Sequence, residues 1–249
     1  MDTTIVEILN RSIQGVTKPF LCRGNDDNLY FVKGFHAGQR SQICEIIAGQ
    51  LGRQLGLPIA PFTIADIPEV LLDYETPENK NALRAGYAFA SCKQEPIGEL
   101  NLSAIHKIPT ELQQKIFAFD WWIRNEDRKL TEHGGNPNLF WRLDAKEDAE
   151  QLVVIDHNLA FDKTFSKTDF AAQHAFSHSG NKLLNNRKLQ IMYESQFERV
   201  MLSWSEICTK IPETWKFIDD EMSTPSDFDF EAAHQQLMCY QQPDFWMIK

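Results

Sequence analysis

The sequence predicts an α+β protein with a strand-rich N-terminal lobe around one main helix and a helix-rich C-terminal lobe. Short apolar runs separated by turn-forming Gly, Asn and Pro occupy residues 1–90, as is typical of strands. Beyond residue 110, apolar residues recur at three- and four-residue spacing, as in helices. Hydrophobic residues make up 43% of the 249 residues, so the chain can bury a sizeable core. We therefore predict one domain over residues 1–249, with lobes over 1–90 and 91–249.

The predicted N-terminal lobe starts with a hairpin. Residues 19–22 lead into a polar turn over 23–28, and the apolar residues 29–33 return as a strand. A helix is predicted over 41–55, because isoleucine and leucine recur there at helical spacing and a glycine and a proline follow. The other elements predicted for this lobe are a strand over 59–67, a short strand over 70–72, a polar loop over 75–84 and a strand over 86–90.

The predicted C-terminal lobe starts with a helix whose apolar stripe extends to Ile123. Thr110 and Gln113 resemble a capping box at its beginning. Residues 125–138 contain few apolar side chains and two adjacent glycines, which predicts an ordered loop. The later predictions are strands over 139–141 and 152–155, a charged connection over 144–150, and helices over 186–210, 212–222 and 231–241. Trp121, Trp122 and Trp141 are expected in the core.

The net charge and the composition argue against some classes of function. The net charge of −10 repels a phosphate backbone, which argues against general nucleic-acid binding, whereas a magnesium nucleotide remains compatible. The five cysteines are scattered and form no CxxC pair, so reduced thiols are expected. His133, His174 and His178 share no metal-binding signature and are expected to be ordinary polar surface residues. No signal peptide or membrane span is recognised, which predicts a cytoplasmic protein without membrane attachment.

Two charged residues of the N-terminal lobe are candidates for nucleotide chemistry. Lys33 ends an apolar strand, where a lysine can reach nucleotide phosphates and neutralise their charge. Glu45 follows on the predicted helix, where its carboxylate can orient Lys33 through an ion pair. An ordinary exposed lysine and a solvated helix glutamate are the alternative interpretations, and the sequence leaves them open.

Three polar positions of the C-terminal lobe are further candidates. Asp127 lies in a loop directly after a helix, where it can accept a proton from a hydroxyl group or orient that group. Asn138 precedes a strand and can offer its amide oxygen to a metal, with Asn136 as the alternative ligand. Asp156 follows four apolar residues, so a buried carboxylate there needs a partner, such as magnesium. Turn, cap and salt-bridge roles are the alternatives.

The order of these residues suits phosphoryl transfer from a magnesium nucleotide. Six segments, taken in the same order, resemble HipA-like kinases and, more remotely, phosphatidylinositol kinases. They are residues 30–33 (Tyr-Phe-Val-Lys), 56–59 (Gly-Leu-Pro-Ile), 119–123 (Phe-Asp-Trp-Trp-Ile), 125–128 (Asn-Glu-Asp-Arg), 136–139 (Asn-Pro-Asn-Leu) and 155–157 (Ile-Asp-His). The resemblance covers roughly residues 15–165.

The resemblance implies a protein-kinase-like bilobal fold with an ATP site between the lobes, and ATP and Mg²⁺ as cofactors. It implies that Lys33 binds phosphate, that Asp127 is the catalytic aspartate, and that Asn138 and Asp156 hold magnesium. The other residues that it places at the nucleotide are Glu45, Asn136 and a hinge made of Phe89, Ala90 and Ser91, whose backbone groups would meet adenine.

Two features depart from the family pattern. Asp127 and Asn138 are eleven positions apart, which is longer than the usual catalytic loop of the family. The first turn has no GxGxxG and carries Asp26 and Asp27, so phosphate contacts there would have to come from backbone N–H groups. This turn also lacks a serine, so autophosphorylation at a loop serine is not expected.

The predicted function is an ATP- and magnesium-dependent kinase that acts on serine or threonine of a protein substrate. Two alternatives stay open, namely a nucleotide-binding pseudokinase that serves as an interaction module, and a small-molecule or lipid kinase. The sequence does not identify the phosphate acceptor, the oligomeric state, or an antitoxin-like or other regulatory partner.

Overall fold

The computed structural model describes residues 3–13, 17–95, 97–142, 152–219 and 221–248. The chain divides into two units, each made of separate stretches of sequence. Unit 1 comprises Met1–Ile46, Ala60–Gln94 and Ile211–Phe228, and unit 2 comprises Ile47–Ile59, Glu95–Lys210 and Asp229–Lys249. The prediction of one domain with a lobe boundary near residue 90 stays a prediction.

Unit 1 is built on a closed barrel of five strands in the order β1-β2-β3-β5-β4. Its strands are β1 (Thr3–Arg11), β2 (Phe20–Gly24), β3 (Leu29–Lys33), β4 (Phe62–Ile67) and β5 (Gly86–Cys92). The neighbouring strands are antiparallel except β1 and β4, which pair in parallel. The predicted hairpin is confirmed, because β2 and β3 flank the turn and Cys22 lies opposite Tyr30.

The helices of unit 1 are α1 (Gln39–Gln54), α2 (Glu69–Leu72) and α3 (Pro77–Leu83), and the last residues of α1 belong to unit 2. The helix predicted over 41–55 is confirmed as α1. The short strand predicted over 70–72 is wrong, because this segment forms α2 after the extended residue Pro68. The loop predicted over 75–84 is also wrong. Thr76 caps α3 by accepting a hydrogen bond from Asn79 N, and Pro77 suits the first helical turn.

A late segment of the chain completes unit 1. Trp215 is buried and its Nε1 donates to the backbone oxygen of Tyr87 in β5, 3.1 Å away. The helix predicted over 212–222 is wrong, because Glu213–Lys216 form a 3-10 turn and the following Phe217 is extended. Asp219 accepts hydrogen bonds from the backbone of Ser223 and Thr224, which favours a turn over a continuing helix.

Unit 2 is rich in helices and contains one small antiparallel sheet in the order β6-β7-β8. Its strands are β6 (Ile97–Glu99), β7 (Leu139–Arg142) and β8 (Leu152–Val154). Its helices are α4 (Thr110–Ile123), α5 (Lys167–Gln173), α6 (Ser177–Leu184), α7 (Arg187–Met201), α8 (Trp204–Thr209) and α9 (Phe230–Met238). The charged connection predicted over 144–150 lies outside the described residues.

The centre of unit 2 is aromatic and is organised by α4. Trp122 stacks on Phe197 with ring centroids 4.2 Å apart, and its Nε1 donates to Leu237 O at 2.7 Å. Trp121 is buried and donates to Phe245 O at 3.1 Å. Paired indole N–H groups allow these large side chains to be buried without an orphan donor. This packing fixes the end of α4, from which the candidate catalytic loop begins.

Two details of unit 2 correct the sequence prediction. The capping box at Thr110 is absent, because Pro109 precedes α4 and the Gln113 amide donates instead to Ile105 O and Ile108 O. The single helix predicted over 186–210 is divided into α7 and α8, since Ser203 departs from helical dihedral angles with φ −93° and ψ 0°. Within the described ranges, no helix has both the length and the apolar character needed to cross a bilayer.

Candidate functional site

In unit 1, Lys33 and Glu45 form a buried ion pair. The Lys33 Nζ lies 2.5 Å from Glu45 Oε1, and the two side chains are only 9% and 3% exposed. Gln42, three residues before Glu45 on α1, accepts a hydrogen bond from Phe89 N at 2.8 Å and so ties α1 to β5. The ion pair expected from the sequence is therefore present, and the surface alternatives for Lys33 and Glu45 do not hold.

The predicted hinge residues Phe89, Ala90 and Ser91 lie within β5, which is paired on both sides. Phe89 lies opposite Lys33 in β3, and the whole segment also pairs with β4. Most of their backbone groups therefore form hydrogen bonds with the neighbouring strands of the barrel. Their contact with adenine stays a prediction.

The turn between β2 and β3 directs one of its two acidic side chains back onto the hairpin. Asp26 accepts hydrogen bonds from Tyr30 Oη at 2.7 Å and Asn28 Nδ2 at 2.9 Å. Asp27 is exposed and has a left-handed φ of 63°. The carboxylate of Asp26 is thus held by its own hairpin.

In unit 2, Asp127 and Asn138 are joined by a hydrogen bond. The Asn138 Nδ2 donates to Asp127 Oδ2 at 3.1 Å. Because a carboxylate only accepts, the amide nitrogen must face Asp127, and the amide oxygen therefore faces the other way. Asn138 is 6% exposed whereas Asn136 is exposed. This geometry makes Asn138 the better candidate for a metal ligand, while the roles of both asparagines stay predictions.

The pairing of β7 with β8 brings Asp156 to the same end of the sheet as Asn138. Leu139 lies opposite Val154, and Ile155 N donates to Asn138 O at 3.1 Å. Asn138 and Asp156 both have left-handed backbones, with φ values of 51° and 57°. Such conformations are costly for residues other than glycine, and they cluster at functional sites.

Arg128 connects the segments that carry these three residues. It is fully buried and follows Asp127 directly. Its Nη1 donates to the carbonyl oxygens of Pro137 and Asn138, both at 3.0 Å, and of Ile155 at 3.4 Å. One guanidinium therefore reaches the loop before β7 and the residue directly before Asp156.

Asp120 balances the charge of Arg128 inside the protein. It lies on α4 with no exposed surface, and its Oδ2 accepts from Arg128 Nε at 2.7 Å. Its other carboxylate oxygen accepts from Asn125 Nδ2 at 2.9 Å. Burial by itself raises the pKa of the Asp120 carboxyl, but the charge of Arg128 and a hydrogen bond from His174 outweigh burial and hold that pKa well below its usual range.

His174 is the third member of this buried cluster, so its expected surface position is wrong. It is 2% exposed, and its Nε2 lies 3.0 Å from Asp120 Oδ2. Its Nδ1 accepts from Phe176 N at 3.0 Å, which places the ring proton on Nε2. Burial lowers the pKa of His174 more than the attraction of Asp120 raises it, so the ring is neutral at neutral pH. His133 and His178 are exposed, as expected.

Few features of the sequence point to this cluster. Asp120 stands between Phe119 and Trp121 on a strongly apolar helix, and this setting could have marked it as a buried carboxylate in need of partners. His174 is 54 positions away from Asp120, and no pattern in the sequence joins the two.

The donors at the β7–β8 end suit magnesium. Mg²⁺ is commonly bound by one or two carboxylates, phosphate oxygens and water rather than by a closed protein cage. The Asp156 carboxylate and the Asn138 amide oxygen are donors of this kind. In the part of the chain that the structure describes, no group of three or more His, Cys, Asp or Glu residues could hold a metal ion.

Comparison with known proteins identifies the class. Residues 5–249 match the family model described as HipA-like kinase, and this family implies kinase function and the use of ATP. The chain belongs to the HipA-like kinase family. The α+β class predicted from the sequence is confirmed by the five-stranded barrel with α1 and by the helix-rich C-terminal part.

Solved structures and curated proteins add little to this assignment. The crystal structure of a Helicobacter pylori proinflammatory kinase, CtkA, is similar at 16% sequence identity, covering 96% of this chain and 93% of that chain with a TM-score of 0.46. A search of curated proteins found no match.

Proposed function

We propose that the chain is an ATP- and Mg²⁺-dependent kinase that phosphorylates serine or threonine of a protein substrate. One observation carries the proposal. Asp127, Asn138 and Asp156 are drawn together by a direct hydrogen bond and by the pairing of β7 with β8. A carboxylate for the acceptor hydroxyl beside two oxygen donors for magnesium is the set that phosphoryl transfer requires.

Lys33 would bind the phosphates of ATP. Glu45 fixes the ammonium group through their ion pair, so the lysine is held in one orientation before the nucleotide arrives. A fixed positive charge in a buried setting stabilises the charge that builds up on the transferred phosphoryl group better than a mobile surface lysine does. Loss of Glu45 should therefore weaken nucleotide binding even though Lys33 remains.

Asp127 would position the acceptor hydroxyl. Its Oδ2 is engaged by Asn138, which holds the carboxylate in place and leaves Oδ1 for the substrate. In transfer reactions of this type, placement and electrostatics supply most of the rate enhancement. The Asp127 carboxylate would accept the hydroxyl proton as the oxygen of the acceptor bonds to the γ-phosphorus and ADP leaves.

Asn138 and Asp156 would hold magnesium through an amide oxygen and a carboxylate. When bound, the ion would offset the charge of the phosphates. The two residues belong to different segments, so the backbone contacts between β7 and β8 determine how well their oxygens converge.

The test is transfer of labelled phosphate from ATP to proteins of a cell lysate and to the chain itself, followed by identification of the modified residue. The wild type should label serine or threonine in the presence of Mg²⁺ and not in the presence of EDTA. Asp127→Asn should lower the rate at least about 100-fold, since a positioned base typically contributes 10²–10⁴-fold. Asp169→Asn, at an exposed aspartate of α5, is the matched control and should keep the wild-type rate.

Other acceptors give different outcomes in the same assay. Labelled lipid or small molecules without labelled protein would support the small-molecule or lipid kinase instead. Labelled tyrosine or histidine would reject the serine/threonine assignment. Equal rates for wild type and Asp127→Asn would reject the role of Asp127.

A nucleotide-binding pseudokinase is the second candidate, and one observation favours it. The loop between Asp127 and Asn138 is longer than the usual catalytic loop and contains a turn in which Thr131 and Gly134 pair with each other. Such an insertion can serve a binding role rather than turnover. Thermal stabilisation by Mg-ATP without transfer to any acceptor would support this candidate, and stoichiometric autophosphorylation would exclude it.

A further inference from the structure

Arg128 contacts the chain near all three candidate catalytic positions. This residue directly follows Asp127, it donates to the carbonyl oxygen of Asn138 itself, and it donates to the carbonyl oxygen directly before Asp156. One rigid guanidinium thus touches the chain at, or one residue from, each of the three candidate catalytic positions. A planar fork with five donors can do this, whereas a point charge cannot.

The guanidinium is itself held from the other side. Asp120 accepts from Arg128 Nε at 2.7 Å, and His174 Nε2 donates to the same Asp120 oxygen at 3.0 Å. The backbone strengthens this arrangement, because Ala175 N donates to Arg128 O at 2.9 Å and Leu130 N donates to Gln173 O at 3.2 Å. The segment after α5 therefore supports the catalytic loop through both side chains and backbone.

Burial indicates that this cluster has a defined geometry. Asp120, Arg128 and His174 are each at most 2% exposed. Buried polar groups at that depth are costly unless every partner is in place, so the cluster tolerates little displacement. Magnesium is equally demanding, since it needs near-octahedral ligands at about 2.0–2.1 Å. A small shift of the segment that carries Asn138 relative to the segment that carries Asp156 would therefore weaken magnesium binding.

We propose that Arg128 is a positioning residue for the magnesium ligands, with Asp120 and His174 fixing its guanidinium so that the segments carrying Asn138 and Asp156 stay in register. The proposal rests on the proposed function, because that function is what makes Asn138 and Asp156 magnesium ligands. It predicts that substitutions in the cluster of Asp120, Arg128 and His174 weaken metal binding more than they weaken the nucleotide contacts of Lys33.

The first experiment uses Arg128→Lys, which keeps the charge opposite Asp120 but removes the fork. The Mg²⁺ concentration for half-maximal phosphate transfer should rise about 10- to 100-fold, which is the usual cost of losing a supporting residue around a metal. Binding of Mn²⁺ in the presence of a non-hydrolysable ATP analogue, followed by electron paramagnetic resonance, should weaken by a similar factor. Arg187→Lys is the matched control at a surface ion pair and should change neither value more than about 2-fold.

A second pair of variants keeps the proposal testable if Arg128→Lys does not fold. His174→Leu removes the donor to Asp120, and His174→Gln offers an amide donor in its place. The leucine variant should raise the half-maximal Mg²⁺ concentration at least about 3-fold, and glutamine should restore most of the difference. A purely structural role would lower the melting temperature of both variants and leave their Mg²⁺ dependence equal to that of the wild type.

The outcomes separate this proposal from the proposed function. Wild-type Mg²⁺ dependence in Arg128→Lys, or in both His174 variants, overturns the positioning role even when Asp127→Asn is inactive. A wild type without any phosphate transfer overturns the proposed function. In that case Mn²⁺ binding still decides the positioning role, because it needs no turnover.

Discussion

Replacing Asp120 by asparagine removes the negative charge of a fully buried ion pair and keeps the size of the side chain. Asp120 and Arg128 have no exposed side-chain surface, and the Nε–Oδ2 distance is 2.7 Å. Removing one partner of such a pair leaves an uncompensated buried charge, which costs about 3–5 kcal/mol of unfolding free energy. The new amide nitrogen would face either the Asn125 Nδ2 donor or the donors of Arg128 and His174, so the substitution gains no compensating hydrogen bond.

The assay is urea unfolding at pH 7 followed by tryptophan fluorescence. Five of the six tryptophans belong to unit 2, so the signal mainly reports the unit that contains Asp120. Glu206→Gln is the matched control, because its pair with Lys210 is largely exposed, with 69% and 43% of the side-chain surfaces accessible. The control should cost at most about 1 kcal/mol. If Asp120→Asn lowers the unfolding free energy no more than this control does, the buried pair contributes no more than a surface pair.

Three further outcomes are expected. Burial lowers the pKa of His174 in the folded state from its ordinary value of 6.5, so the unfolded state binds more protons. The unfolding free energy should therefore fall as the pH drops below about 6.5 and on through the folded-state pKa. In urea titrations between pH 7 and pH 5, His174→Gln should flatten this pH dependence and the exposed control His178→Gln should not. Gly180→Ala should cost about 1–3 kcal/mol in urea unfolding, since its Cβ would clash with the ring of Phe117 in α4. Lys182→Ala on the exposed face of the same helix should change stability by less than about 0.5 kcal/mol. Glu45→Gln should weaken Mg-ATP binding at least about 10-fold in calorimetry, because Lys33, which is proposed to bind phosphate, loses its charged hydrogen-bonding partner. An unchanged affinity would contradict the role proposed for this ion pair.

The parts of the fold that the sequence predicted correctly are those with one dominant periodicity. The hairpin around residues 23–28, α1 and α4 all have apolar residues at the spacing of their element, although α1 and α4 are buried on nearly every side. Polar or short elements were missed. The beginning of α3 could have been recognised from the sequence, because Thr76 and Pro77 are residue types that favour the start of a helix. The polar composition of the segment favoured a loop instead. Neither α5 nor α6 was predicted, although Ser166 caps α5.

The site residues that could be predicted are those whose neighbours in the sequence mark them as unusual. Lys33 at a strand end and Asp156 after a buried strand could be recognised as unusual from their neighbours alone. The cluster of Asp120, Arg128 and His174 could not, because its members meet only after α5 folds back onto the loop that follows α4. Sequence spacing carries no information about such contacts, and a lone histidine is more often a surface residue.

The proposed role of Asp127 lies in phosphate transfer and not in nucleotide binding. It is tested most directly by measuring both properties on the same preparations of wild type and Asp127→Asn. Calorimetry with a non-hydrolysable ATP analogue and Mg²⁺ should give affinities within about 3-fold of each other, while labelled phosphate transfer should fall at least about 100-fold in the variant. Transfer at the wild-type rate, or a loss of transfer fully explained by lost nucleotide binding, would contradict this role.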